Sequence, residues 1–155
     1  MKKLFIILTV VFMSVIPLEV KAATAEEVKA FFNSYVSAAN SFDENLFQKF
    51  YIQNPTIIRV VEKKDGTKQS VNVPLKVYLD EGAKGRKIGK ITGYKNSYTN
   101  ITVTPNNGDF KVSATRNPSP GGHYPAYFII GEDKNGNLKI KVESMNTPRQ
   151  EFLKK

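Results

Sequence analysis

The chain has no cysteine and one histidine, His123, among 155 residues. Lack of cysteine excludes a disulfide scaffold, and it excludes a lipid anchor behind an export leader. With a single histidine besides, a structural zinc site has no ligand set. A Ser-His-Asp triad would have to use His123, and no G-x-S-x-G elbow exists to present a serine. Acids are also scarce, 14 Asp and Glu against 23 Lys and Arg, for a formal charge of +9. No apolar run reaches the roughly 20 residues that cross a bilayer as a helix. Repeats, linkers and low-complexity stretches are absent, so the length reads as one domain.

The longest apolar run, residues 4–16, lies directly behind Lys2 and Lys3 and is stopped by Pro17 and Glu19. Val20-Lys21-Ala22 then puts small residues at positions −3 and −1 of a cut before Ala23; a cut after Ala25 fits as well. This is the pattern of a cleaved secretory leader over residues 1–22, followed by a domain over 23–155. The expectation is a periplasmic or secreted protein with no stable membrane anchor after cleavage. The mature chain would carry 20 basic and 13 acidic residues. Its basic residues are spread over turns and strand faces, and export removes most nucleic acid, so nucleic acid is not the expected partner.

The strongest periodicity falls on residues 25–42, where Val28, Phe31, Phe32, Tyr35, Val36, Ala39 and Phe42 form one apolar stripe. Thr24 and Glu27 form a capping box at its start. Leu46, Phe47, Phe50 and Tyr51 predict a short second helix that ends at Asn54-Pro55. Two strands follow over 56–63 and 67–73, joined by Lys64-Asp65-Gly66. Pro74 opens a short helix bearing Leu75, Val77, Tyr78 and Leu79, with Gly82 and Gly85 as its expected stops. Residues 86–104 read as a long strand that turns at Pro105-Asn106-Asn107-Gly108. Phe110, Val112 and Ala114 mark the next strand, and Tyr124, Ala126, Phe128 and Ile130 one that is apolar on both faces. Leu138, Ile140 and Val142, alternating with Lys139, Lys141 and Glu143, predict a last, half-solvated strand.

The order helix, helix, strand, strand, helix, then three or four strands, led by VKAFFNSYVSAANSFDENLFQKFY, resembles the nuclear transport factor 2-like superfamily. That resemblance implies an α+β fold in which N-terminal helices pack on a strongly curved, mostly antiparallel, cone-like sheet. It spans residues 25 to about 147. It also implies one of two kinds of function, since fold does not decide between them. The first is a non-enzymatic binding or accessory module, such as an assembly component of a type IV secretion or pilus system. The second is a small-molecule isomerase, cyclase or hydrolase with a carboxylate base in the cone.

Chemistry has few candidates. Asp80 and Glu81 follow Tyr78 at the predicted helix end, and Asp80 is a weak candidate for a base. Tyr35, Arg59, Tyr94, Tyr98 and His123 could line an aromatic pocket with a polar handle. Tyr94 and Tyr98 read as neighbours on one face of the long strand. Lys84, Arg86, Lys87 and Lys90 form a basic patch in a predicted loop, suited to an anionic or acidic partner face. No cofactor or metal is expected. The expected partner is a protein or a small apolar ligand of the envelope, and the scaffold allows a homodimer.

Overall fold

The computed structural model describes residues 21–154. The leader read over 1–22 therefore lies outside the described residues, apart from Lys21 and Ala22. Among the described residues, no helix is long and apolar enough to cross a membrane.

Helix α1 (Ala25–Asn40) starts on the expected capping box. The Thr24 Oγ1 accepts from the Glu27 amide at 3.2 Å, and the Glu27 carboxylate accepts from the Thr24 amide at 2.8 Å. Its buried stripe is Val28, Phe32 and Tyr35. The helix ends two residues before the expected limit, because Phe42 turns left-handed with φ 60°. The amides of Phe42 and Asp43 then close on the carbonyls of Ala39 and Ala38 in a Schellman end, with a phenylalanine where glycine is usual. The Phe42 ring rests on Gly89, where a Cβ would overlap it.

Helix α2 (Leu46–Phe50) leads into strand β1 (Tyr51–Glu62), which pairs with β2 (Lys68–Asn72). Tyr51 thus begins a strand instead of ending a helix. Helix α3 (Leu75–Thr92) differs most from expectation: it runs through Gly82 and Gly85 and stops at Gly93, left-handed with φ 70°. An interior glycine costs a helix only about 1 kcal/mol against alanine, which tertiary packing readily offsets. Residues 86–104, expected as one strand, are therefore helical as far as Thr92, and β3 begins only at Asn96.

Strands β3 (Asn96–Asn106), β4 (Asp109–Pro118), β5 (Tyr124–Glu132) and β6 (Leu138–Thr147) form the predicted antiparallel meander. Asn107 and Gly108, at φ 48° and 84°, make the tight turn between β3 and β4. A terminal 3-10 turn, Gln150–Lys154, follows β6. The sheet order is β2-β1-β6-β5-β4-β3, with β1 and β6 parallel and every other pair antiparallel. Bulges interrupt the pairing of β1 with β6, β3 with β4, and β5 with β6. Each adds twist and bends its strand, so the sheet curls around the helices. The concave face carries Ile57 and Val61, Val112 and Ala114, Ala126, Phe128 and Ile130, and Ile140. Phe32 of α1 fills its centre, 4.9 Å from the Phe128 ring and 5.3 Å from Tyr98.

Candidate functional site: a sealed carboxylate beside an arginine-lined cavity

The β5–β6 bulge has a direct chemical result. Pairing runs Ile130 with Ile140, then Ile129 with Val142, so Lys141 is the extra residue. One added residue exchanges the two faces of a strand. Beyond it the inward positions are Glu143, Met145 and Thr147, and the last strand buries an acid that alternation assigns to solvent.

Glu143 is 1% exposed. Its Oε1 accepts from the Arg59 guanidinium at 2.7 Å. Its Oε2 accepts from the hydroxyls of Tyr51, of Tyr78 at 3.1 Å, and of Tyr35 at 3.5 Å. The tyrosine oxygens also lie within hydrogen-bond distance of one another, Tyr78 Oη 2.8 Å and Tyr35 Oη 3.0 Å from Tyr51 Oη, so the single Tyr78 hydrogen is shared between Tyr51 and Glu143. Burial raises Tyr35, Tyr51 and Tyr78 well above the ordinary phenol range, and the negative charge on Glu143 adds to it. Burial is the largest single influence on Arg59 and lowers it, but the charge and hydrogen bond of Glu143, joined by Tyr78 and Tyr51, together carry the net shift upward. The carboxylate is thus enclosed by donors from β1, α1 and α3.

Next to this cluster lies a cavity of about 250 Å³ between α3, the concave sheet and the C-terminal turn. Arg59 and Tyr78 belong to both, one face on Glu143 and one on the cavity. Its other walls include Tyr94, Arg116, Met145, Arg149 and Phe152, with Glu81 and Gly82 from α3. Glu81 accepts from Arg149 at 3.0 Å, and Arg149 also pairs with Glu151.

The structure sorts the residues singled out in sequence. Arg59 and Tyr94 reach the cavity. Tyr35 and Tyr98 are core residues behind it, and burial raises the Tyr98 hydroxyl too. Tyr94 precedes β3 and Tyr98 lies within it, so they are not neighbours along one long strand. His123 is exposed on the β4–β5 loop, where its ring contacts the Asn117 side chain at 2.6 Å. Of the acidic pair, Glu81 lines the cavity, whereas Asp80 is exposed and bonded to Lys76 one turn back. Lys84, Arg86, Lys87 and Lys90 lie on the second half of α3, not in a loop, and Lys90 pairs with Glu44. Among the described residues, no group of three or more histidines and acids is placed to hold a metal.

Glu143 and Arg116 were missed in sequence. The bulge hides the first. The second continues the Val112–Ala114 alternation, and that phase is a readable sign that Arg116 points inward.

No protein-family profile and no curated protein matches the chain. Solved structures do. A protein of unknown function from Pseudomonas putida superposes with a TM-score of 0.62 at 14% identity, over 83% of this chain and 90% of that one. A nuclear transport factor 2-like protein from Cytophaga hutchinsonii gives 0.59 at 9% identity, over 81% and 98%. A candidate dehydratase from Streptomyces avermitilis gives 0.59 at 12% identity, over 79% and 94%. All three are nuclear transport factor 2-like proteins. This chain has the nuclear transport factor 2-like fold. At such identities the likeness carries the cone and its curled sheet, not an activity, and the solved proteins that share it include both candidate enzymes and proteins of unknown function.

Proposed function

We propose that the protein is a non-enzymatic binding module of the bacterial envelope that takes a small molecule into its cone. The observation that carries this reading is the state of the two acids at the cavity. A general base needs a carboxylate oxygen open to the substrate. Glu143 is sealed behind Arg59 and three tyrosines, and Glu81 is held by Arg149. Both carboxylates fix arginines in place, which is a binding architecture.

The envelope location rests on the leader pattern, and one contact supports a cut before Ala23. The Ala23 nitrogen lies 3.0 Å from the Glu132 carboxylate. Cleavage there turns an amide into an ammonium already beside its counter-charge, a stronger bond than the neutral one. An accessory place in a secretion or pilus assembly suits such a module, with the basic half of α3 as a docking face for an acidic partner.

The enzyme reading keeps one observation in its favour, because Tyr78, whose hydroxyl meets Glu143, is also a lining residue of the cavity. The deciding experiment is native mass spectrometry of the mature protein isolated from the envelope of its own cells. The released ligand is then incubated with wild-type and Glu143→Gln protein. A binding module returns it from both with its mass, chromatographic retention and fragmentation pattern unchanged. Conversion by wild type but not by E143Q overturns the reading in favour of an isomerase- or hydrolase-type enzyme.

A further inference from the structure

The geometry points to the ligand's chemical class: a small organic monoanion, its carboxylate held by Arg116 and its apolar body against Val73, Met145 and Phe152. This inference rests on the binding reading above and deepens it.

Three guanidinium groups face the cavity, and they are not equivalent. Arg59 meets Glu143 at 2.7 Å, and Arg149 meets Glu81 and Glu151. Arg116 has no ion-pair partner among the described residues. Its bonds go to neutral acceptors at long range: Tyr94 Oη at 3.4 Å, Asn96 Oδ1 at 3.3 Å and the Asn146 carbonyl at 3.3 Å. Its Nε is buried without any hydrogen-bond partner. A buried donor left unmade costs about 1–3 kcal/mol, more when the group is charged. Among the side chains of the described residues this cost is kept at one position, on a residue that lines the cavity.

The setting of Arg116 suits a carboxylate. The Tyr124 ring centroid lies 5.2 Å from the guanidinium carbon, a cation–π contact on one side of it. A planar fork with an unmade N–H matches two carboxylate oxygens in a plane, which gives two parallel charge-assisted bonds. Val73, Met145 and Phe152 offer an apolar surface on the other side. The volume, about 250 Å³, lies just below the range of drug-sized pockets and limits the ligand to a small one. Glu81 on the wall repels a second negative charge, which favours a monoanion over a dianion.

The test is calorimetric titration of the mature protein with benzoate, with its neutral isostere benzamide, and with inorganic phosphate. Benzoate is expected to bind at least tenfold more tightly than either of the others and to weaken as sodium chloride is raised. Arg116→Gln should remove the preference for benzoate over benzamide. Arg116→Lys, which keeps the charge but not the fork, should retain part of it. Equal binding of benzoate and benzamide, or undiminished benzoate binding by a folded R116Q, overturns the inference. Phosphate binding as tightly as benzoate overturns the organic part, and no binding by any probe overturns the whole. The wild-type comparison of benzoate with benzamide decides the matter even if R116Q does not fold. None of these outcomes touches the binding reading, which stands or falls on whether the native ligand is converted.

Discussion

Arg59 and Arg116 stand on the same concave face, three strands apart, and have opposite neighbours. Arg59 is joined to a carboxylate that takes three further hydroxyl donors. Arg116 leans on neutral oxygens at the edge of bonding distance and keeps a buried N–H unmade. One arginine completes the interior and the other leaves it incomplete. Stability and recognition are thereby separated on one sheet: a charge answered by the protein holds the fold, and a charge left unanswered is available to a ligand.

The contrast is most easily broken by unfolding measurements. Glu143→Ala strands Arg59 and removes the acceptor of three tyrosines. It should cost about 3–5 kcal/mol in denaturant unfolding, the usual penalty for leaving one partner of a buried pair alone. Arg116→Gln should change stability by no more than about 1 kcal/mol, because it gives up only weak neutral bonds. Comparable losses at both sites would erase the distinction.

The next effect is a dependence on alkaline pH. Tyr35, Tyr51 and Tyr78 are raised in the folded state, so above about pH 10 the unfolded chain releases phenolic protons that the native protein retains. The native state then binds more protons, and stability falls with rising pH by about 1.4 kcal/mol per pH unit for each tyrosine so held. Below that range the tyrosine contribution is fully present and flat. Tyr78→Phe should make the alkaline decline shallower, and an unchanged slope in chemical unfolding between pH 9.5 and 11 would contradict the cluster's role.

A smaller change is expected at the N-terminus. Glu132→Gln should lower stability by about 1 kcal/mol when the chain starts at Ala23, and less in a chain that starts after Ala25, which lacks the contact. N-terminal sequencing of the exported protein shows which start occurs. The smallest effect belongs to Asp80, whose exposed pairing with Lys76 should be replaceable by Asn with no measurable shift in the unfolding midpoint.

Much of this architecture is legible in sequence. The α1 stripe and its capping box, the double-sided β5 and the turn at Asn107-Gly108 can all be read from spacing, because each depends on neighbours a few residues away. Arg59 stands out for the same reason, as a charge interrupting an apolar strand. The length of α3 is not legible, since its glycines read as stops while the packing that keeps it helical comes from elsewhere in the chain. Gly89 is one such case, its missing side chain filled by Phe42 from the end of α1. Glu143 is hidden more deeply. Two-residue alternation places it with Lys139 and Lys141 on the wet face, and only the bulge at Lys141, a matter of pairing with β5, turns it inward. The site thus depends on long-range register, whereas the scaffold depends on local pattern.

The Tyr51–Tyr78–Glu143 chain has an optical consequence. The protein contains seven tyrosines and no tryptophan, so its near-ultraviolet emission is tyrosine emission alone. Tyrosines bonded to a carboxylate emit weakly, and Tyr78 is the member of the chain that also faces the cavity. A molecule entering beside it would alter that quenching from within, which makes the unlabelled protein its own fluorescent reporter of occupancy.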